Sequence, residues 1–133
     1  MFKKTEPIIS FDRVTLRLSG MRCVEEYEII CQGGNSVVSE YMVYYTKEDE
    51  RKLLKSAECA TEKLIELFNA CGVLRWDGFN GPNPRGVRDG WMFNLTAELN
   101  GRTIHASGSN NYPRHYREFK GSIDSILNGG DPK

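Results

Sequence analysis

Apolar residues recur along this chain with two different periods. Between Phe11 and Leu18, Val14, Leu16 and Leu18 alternate with Arg13, Thr15 and Arg17, the two-residue period of a strand with one face in the core. Ser19-Gly20 breaks the run, and Glu25 to Cys31 resumes it, with Tyr27, Ile29 and Cys31 set against Glu26, Glu28 and Ile30. Antiparallel pairing of these strands would bring Arg13 and Arg17 opposite Glu26 and Glu28, a solvated face rather than a catalytic carboxylate pair. Gln32 to Ser36 reads as a turn. Val37 to Tyr45 is a third strand, whose Tyr41, Tyr44 and Tyr45 fall on both faces.

The period then lengthens. Leu53, Ala57, Ala60, Leu64, Leu67, Phe68 and Cys71 recur at three- and four-residue steps, which predicts one long amphipathic helix. Thr46 is its expected N-cap, with Asp49 three positions on, and Gly72 ends it at C′. Arg51, Lys52, Lys55, Glu58, Glu62 and Glu66 form the solvated side. No period survives from Trp76 to Trp91. Alternation returns from Trp91 to Leu99, Asn100-Gly101 is a type I′ hairpin turn, and Arg102 to Ser107 is the partner strand. After the turn Gly108 to Tyr112, Pro113 suits the first position of a second helix carrying Tyr116, Phe119, Ile123, Ile126 and Leu127. Gly121 weakens that helix by about 1 kcal/mol relative to alanine.

Three strands, a helix, two strands and a helix predict an α+β fold: one antiparallel sheet of about five strands, with two helices packed on one face, in the order βββαββα. Residues 1–133 read as one domain, with 1–8 and 129–133 as loose termini.

Composition narrows the function classes. Eighteen basic residues balance 18 acidic ones, which argues against a general nucleic-acid binder. No signal peptide and no apolar run of membrane-spanning length is present, so a cytoplasmic protein without membrane contact is expected. Cys23, Cys31, Cys59 and Cys71 form no CxxC pair and share no ligand spacing with His105 and His115; reduced thiols, no metal and no cofactor are expected.

The second half carries a recognisable order of motifs: Trp76-Asp77-Gly78-Phe79, Asp89-Gly90 ahead of Phe93, Asn100-Gly101, and Ser107-Gly108-Ser109-Asn110 with Pro113 leading a helix. Over about residues 64–127 this resembles a group of small bacterial single-domain proteins without an assigned activity. The resemblance implies a bacterial source, and that the Trp76–Trp91 loop and the Ser-Gly-Ser-Asn turn form one unit. It implies no catalytic residue.

Two surfaces are candidate sites. In the loop, Trp76, Phe79 and Trp91 can form an aromatic platform flanked by Arg85 and Arg88, with Asn80 to Arg88 as an exposed tip. The structural alternative is that the aromatics plug the core while Asp77 and Asp89 cap turns. At the start of the last helix, Ser109, Asn110 and Arg114, with His115 and Arg117 nearby, can hold an anion. The chain therefore reads as a non-enzymatic binding module for a protein or small anionic ligand, using Trp76, Phe79, Asn80, Arg85, Arg88, Ser109, Asn110 and Arg114. The alternative is a small hydrolase using Asp77 or Asp89 with His105, although no nucleophile-elbow or zinc-helix motif accompanies them.

Overall fold

Two runs of strands join edge to edge in the computed structural model, which describes residues 6–20, 24–43, 50–82 and 91–129. The strands are β1 (Phe11–Ser19), β2 (Val24–Gln32), β3 (Asn35–Val43), β4 (Arg51–Ala60), β5 (Asn80–Gly81), β6 (Met92–Leu99) and β7 (Arg102–Ser109). Helix α1 is Thr61–Cys71, a 3-10 turn covers Val73–Trp76, and α2 is Tyr116–Leu127. The sheet order is β4-β3-β2-β1-β6-β7-β5. The fold is α+β, as expected. The sheet, however, has seven strands and is mixed, because β5 runs parallel to β7.

One face of the sheet is apolar. Val14, Leu16, Tyr27, Ile29, Val38, Phe93, Leu95, Ala97, Leu99, Ile104 and Ala106 line it, each nearly inaccessible, and α1 and α2 add Leu64, Phe68, Phe119 and Ile123. Phe68 sits at the centre, edge-on to Phe11 at 5.1 Å between ring centroids and 6.0 Å from Phe119. Phe11 and Val14 are an odd number of residues apart yet both buried. A bulge between them in the pairing with β6 shifts the phase by one residue and lets both reach the core. Asn100 and Gly101 adopt φ of 52° and 75°, the two positive values that a type I′ turn requires.

The largest correction concerns the predicted long helix. Its first half, residues 51–60, is the edge strand β4, paired with β3 from Asn35↔Ala60 to Val43↔Arg51. The proposed cap, Thr46 with Asp49, lies outside the described residues. The helix begins at Thr61, which is pinned to the β2–β3 turn: its N–H donates to the Gly34 carbonyl (3.0 Å) and its hydroxyl to the Gly33 carbonyl (2.6 Å). An edge strand contributes backbone pairing with little burial, so β4 carries no strict alternation to reveal it. Leu53 is 52% exposed, and Ala57 is half-buried on the sheet; their helical spacing to Leu64 is a coincidence of phase. The C-terminal end is as expected, with Gly72 left-handed at φ 67°. In α2, Pro113 is not the first helical residue. It sits one turn earlier, its carbonyl accepting from the Tyr116 N–H, and His115 takes the N-cap position at φ 70°.

The expected loose lead-in is held from Glu6 onward. Ile8 is 3% exposed and exchanges two hydrogen bonds with the Asn69 amide, at 2.8 and 2.9 Å. Glu6 accepts from Asn100 (3.0 Å) and Arg102 (2.6 Å), and its pKa is lowered by the Asn100 hydrogen bond first and the Arg102 charge second.

The other sheet face is polar and internally paired. Arg51 reaches from β4 across Tyr41, with its guanidinium 3.8 Å from the ring centre, to Glu26 at 2.5 Å and Glu28 at 3.5 Å. Arg13 approaches Glu28 from the opposite side at 3.9 Å. Glu28 is only 9% exposed, and these two arginines offset the cost of burying it. Arg51→Ala is therefore expected to lower stability in urea by about 1–3 kcal/mol, and Glu28→Gln in the same chain to restore part of that loss. Gly121 lies exposed in mid-α2, and a Cβ there would meet nothing within 4 Å. Gly121→Ala should raise stability by about 0.5–1 kcal/mol, read as a higher urea midpoint with unchanged m-value.

Candidate functional site

Trp76 closes the 3-10 turn after Gly72, with its ring 3% exposed against Tyr116 and Phe119. Its indole N–H donates to the Arg114 carbonyl at 3.1 Å, which ties the end of the first helical unit to the segment entering α2. Phe79 is half-buried and packs on Phe93, with centroids 6.1 Å apart. Both aromatics anchor the loop in the core.

From there the loop runs along β7. The Gly78 N–H donates to the His105 carbonyl (2.9 Å), the Ser107 N–H donates to the Phe79 carbonyl (2.9 Å), and Gly81 pairs with Gly108. Asn111 occupies the space that these two glycines leave. A Cβ on Gly108 would lie 2.0 Å from the Asn111 carbonyl oxygen, and one on Gly81 would lie 2.7 Å from the Asn111 Cβ. The Asn111 amide donates to the Pro82 carbonyl at 3.2 Å. The loop and the turn after β7 are thus one unit, and the glycines are there because of a steric approach.

Where α1 ends and α2 begins, these anchors leave a cleft of about 380 Å³. Trp76, Phe79 and Pro113 supply its apolar walls, and Arg75, Arg114 and His115 its polar groups. The Arg75 guanidinium lies over Gly72, where a Cβ would stand 3.0 Å from its nitrogen. Among the described residues, neither the Arg75 nor the Arg114 side chain has a hydrogen-bond or ion-pair partner. His115 Nδ1 is 3.8 Å from a Glu118 carboxylate oxygen. The Cys71 thiol, also in the lining, is pushed up to about 11 by burial, with the Glu118 charge adding to it. It stays protonated at neutral pH and is a poor nucleophile.

A second concavity of about 230 Å³ lies on the polar sheet face between Arg17, Glu26, Val43 and Arg51. There Glu26 already takes the Arg51 guanidinium. Arg17, the second arginine there, has no ion pair among the described residues, but this site includes a carboxylate where the described lining of the cleft has none.

The candidate residues divide accordingly. Trp76, Phe79 and Arg114 come together at the cleft. Asn80 is exposed on β5. Asn110, at φ 52°, is used structurally: its side-chain oxygen accepts from the Trp91 N–H (3.0 Å) and its own N–H donates to the Trp91 carbonyl (2.9 Å). Ser109 is the last residue of β7, opposite Met92. Arg85, Arg88 and Asp89 lie outside the described residues. Trp91 does not join the other aromatics, because its ring lies against Gly20 and is 39% exposed. As for the acid–base pair, the Asp77 carboxylate accepts from the backbone N–H of His105 (3.0 Å), while the imidazole Nδ1 lies 3.3 Å from the Thr96 hydroxyl. Asp77 thus braces the loop against β7 instead of capping a local turn. Sequence reasoning passed over Arg75 although its position, between a helix-ending glycine and a tryptophan, carried the signal.

The Asn111 brace makes a sharp prediction. Gly108→Ala should cost about 3 kcal/mol or more through overpacking against backbone. Gly34→Ala, with nothing within 4 Å of its Cβ position, should stay within about 0.5 kcal/mol, as measured by urea denaturation of both variants.

A comparison with known protein families, and one with curated proteins, finds no match to this chain, so the roles of these residues rest on the geometry above.

Proposed function

We propose that this protein is a non-enzymatic binding module whose recognition surface is the root of the Trp76–Trp91 loop together with the start of α2. The observation that carries this reading is the cleft at which Trp76, Phe79 and Arg114 converge, of a size common among ligand pockets. Its groups suit recognition better than turnover. The thiol is protonated, and the indole N–H is already spent on the Arg114 carbonyl. Aromatic and arginine side chains gathered at one concave place are the composition favoured where partners are held. No described helix is long and apolar enough to cross a membrane. A cytoplasmic setting in a bacterial cell is part of the same reading, in keeping with Cys31 and Cys71 as free thiols.

Amide chemical-shift mapping tests the proposal. Isotope-labelled protein is titrated with the small-molecule and the macromolecular fractions of a bacterial lysate. Shifts confined to residues 71–79 and 113–118 are expected. Shifts centred instead on the polar sheet face, around Arg13, Glu28 and Arg51, would move the interface elsewhere and overturn this assignment.

A further inference from the structure

The cleft's own chemistry narrows what it can hold. Its floor is apolar: the Trp76 ring is buried, its only N–H is committed, and Pro113 has no N–H to offer. Of its remaining polar side chains, Arg75 and Arg114 present guanidinium forks that only donate, and His115 adds an imidazole. Among the described residues, no carboxylate, amide or hydroxyl side chain lines the cleft, so an uncharged polar molecule would find few acceptors there, and a cation would be repelled. Glu118 lies beside His115 at 3.8 Å, and among the described residues neither guanidinium group has an ion-pair partner. In a chain with equal numbers of acidic and basic residues, two such arginines at one concavity are a local excess of charge.

We infer that the cleft is a binding site for a small organic anion, with a flat apolar body against Trp76 and Phe79 and a carboxylate or phosphate head between Arg75 and Arg114. This deepens the binding-module reading and rests on it. The guanidinium geometry suits either head group, since both present paired oxygens to a planar fork of donors. Trp76 and Phe79 are anchored by Tyr116, Phe119 and Phe93, so the apolar wall exists before any ligand arrives. A preformed wall avoids the cost of ordering side chains on binding.

The test uses four probes: naphthoate, naphthyl phosphate, their uncharged isostere naphthamide, and inorganic phosphate. Binding is read from Trp76 fluorescence in a Trp91→Phe background, because the chain has only two tryptophans and Trp91 lies apart from the cleft. Naphthoate and naphthyl phosphate are expected to bind about tenfold or more tighter than naphthamide, and to weaken as salt is raised. Arg75→Gln with Arg114→Gln should remove that preference and leave naphthamide unchanged. Inorganic phosphate should bind more weakly than naphthyl phosphate, for lack of an apolar body. A preference for one of the two naphthyl anions identifies the head group.

Equal affinity for naphthoate and naphthamide in the unaltered cleft overturns the inference, with no need for the arginine variants to fold. So does anion affinity that survives loss of both arginines. If these results come with lysate-induced shifts that still fall on residues 71–79 and 113–118, the interaction surface stands and only the ligand class is wrong. If naphthoate binds but shifts amides elsewhere, both the surface and the ligand class fall.

Discussion

Seven residue pairs couple β1 to β6, from Phe11↔Leu99 to Ser19↔Met92, and every larger feature of the fold depends on that pairing. It joins segments some eighty residues apart in the chain, and so closes a loop containing β2, β3, β4, α1, the 3-10 turn and β5. Closing so long a loop carries an entropic cost, which must be recovered from the surface buried when the two halves meet. That surface is the apolar face where Phe68 of α1 touches Phe11 on one side and Phe119 of α2 on the other. The bulge between Phe11 and Val14 belongs to the same constraint. Without the extra residue, one of the two would point into water.

The cleft is a by-product of the same closure. Helix α1 ends at a left-handed glycine, and α2 starts after a left-handed histidine. The chain changes direction at both ends, and between them the cleft is lined by Trp76, Phe79 and Pro113. The Trp76–Arg114 hydrogen bond spans the two ends and holds them at a set distance. His115 contributes to this geometry at some expense, since a non-glycine residue in the left-handed region is strained by about 1 kcal/mol or more.

Charge is handled differently on the two sides of the molecule. On the polar sheet face the cross-strand lattice places Arg13 and Arg51 around Glu28, and the glutamate is sheltered by its own counter-ions. At the cleft, Arg75 and Arg114 come from separate segments tied through the Trp76 indole, and no carboxylate is among the described lining residues. Strand register pairs charges automatically; helix ends do not. That difference is why the cleft, and not the broader sheet face, carries the recognition argument.

The sequence by itself determined the local elements whose signals are local. The alternation in β1, β2, β6 and β7 reports burial on one face, Asn100-Gly101 specifies its turn, and Gly72 ends α1, because each needs only neighbouring residues to be stable. It also pointed to Trp76 and Phe79 through their composition in an aperiodic stretch, and to Arg114 as a cation at the start of the last helix. Only the tertiary structure decided the rest. Residues 51–60 have good helix formers at helical spacing, yet β3 requires a hydrogen-bonded partner, and backbone pairing at a sheet edge outweighs a weak local preference. Likewise Asp77, Asn110 and Asn111 look chemically available in sequence, but their side chains are spent on backbone groups from distant segments. Arg75 shows the converse: its place between a helix-ending glycine and a tryptophan gains weight because the fold sets it beside Arg114, with no acid among the described lining residues.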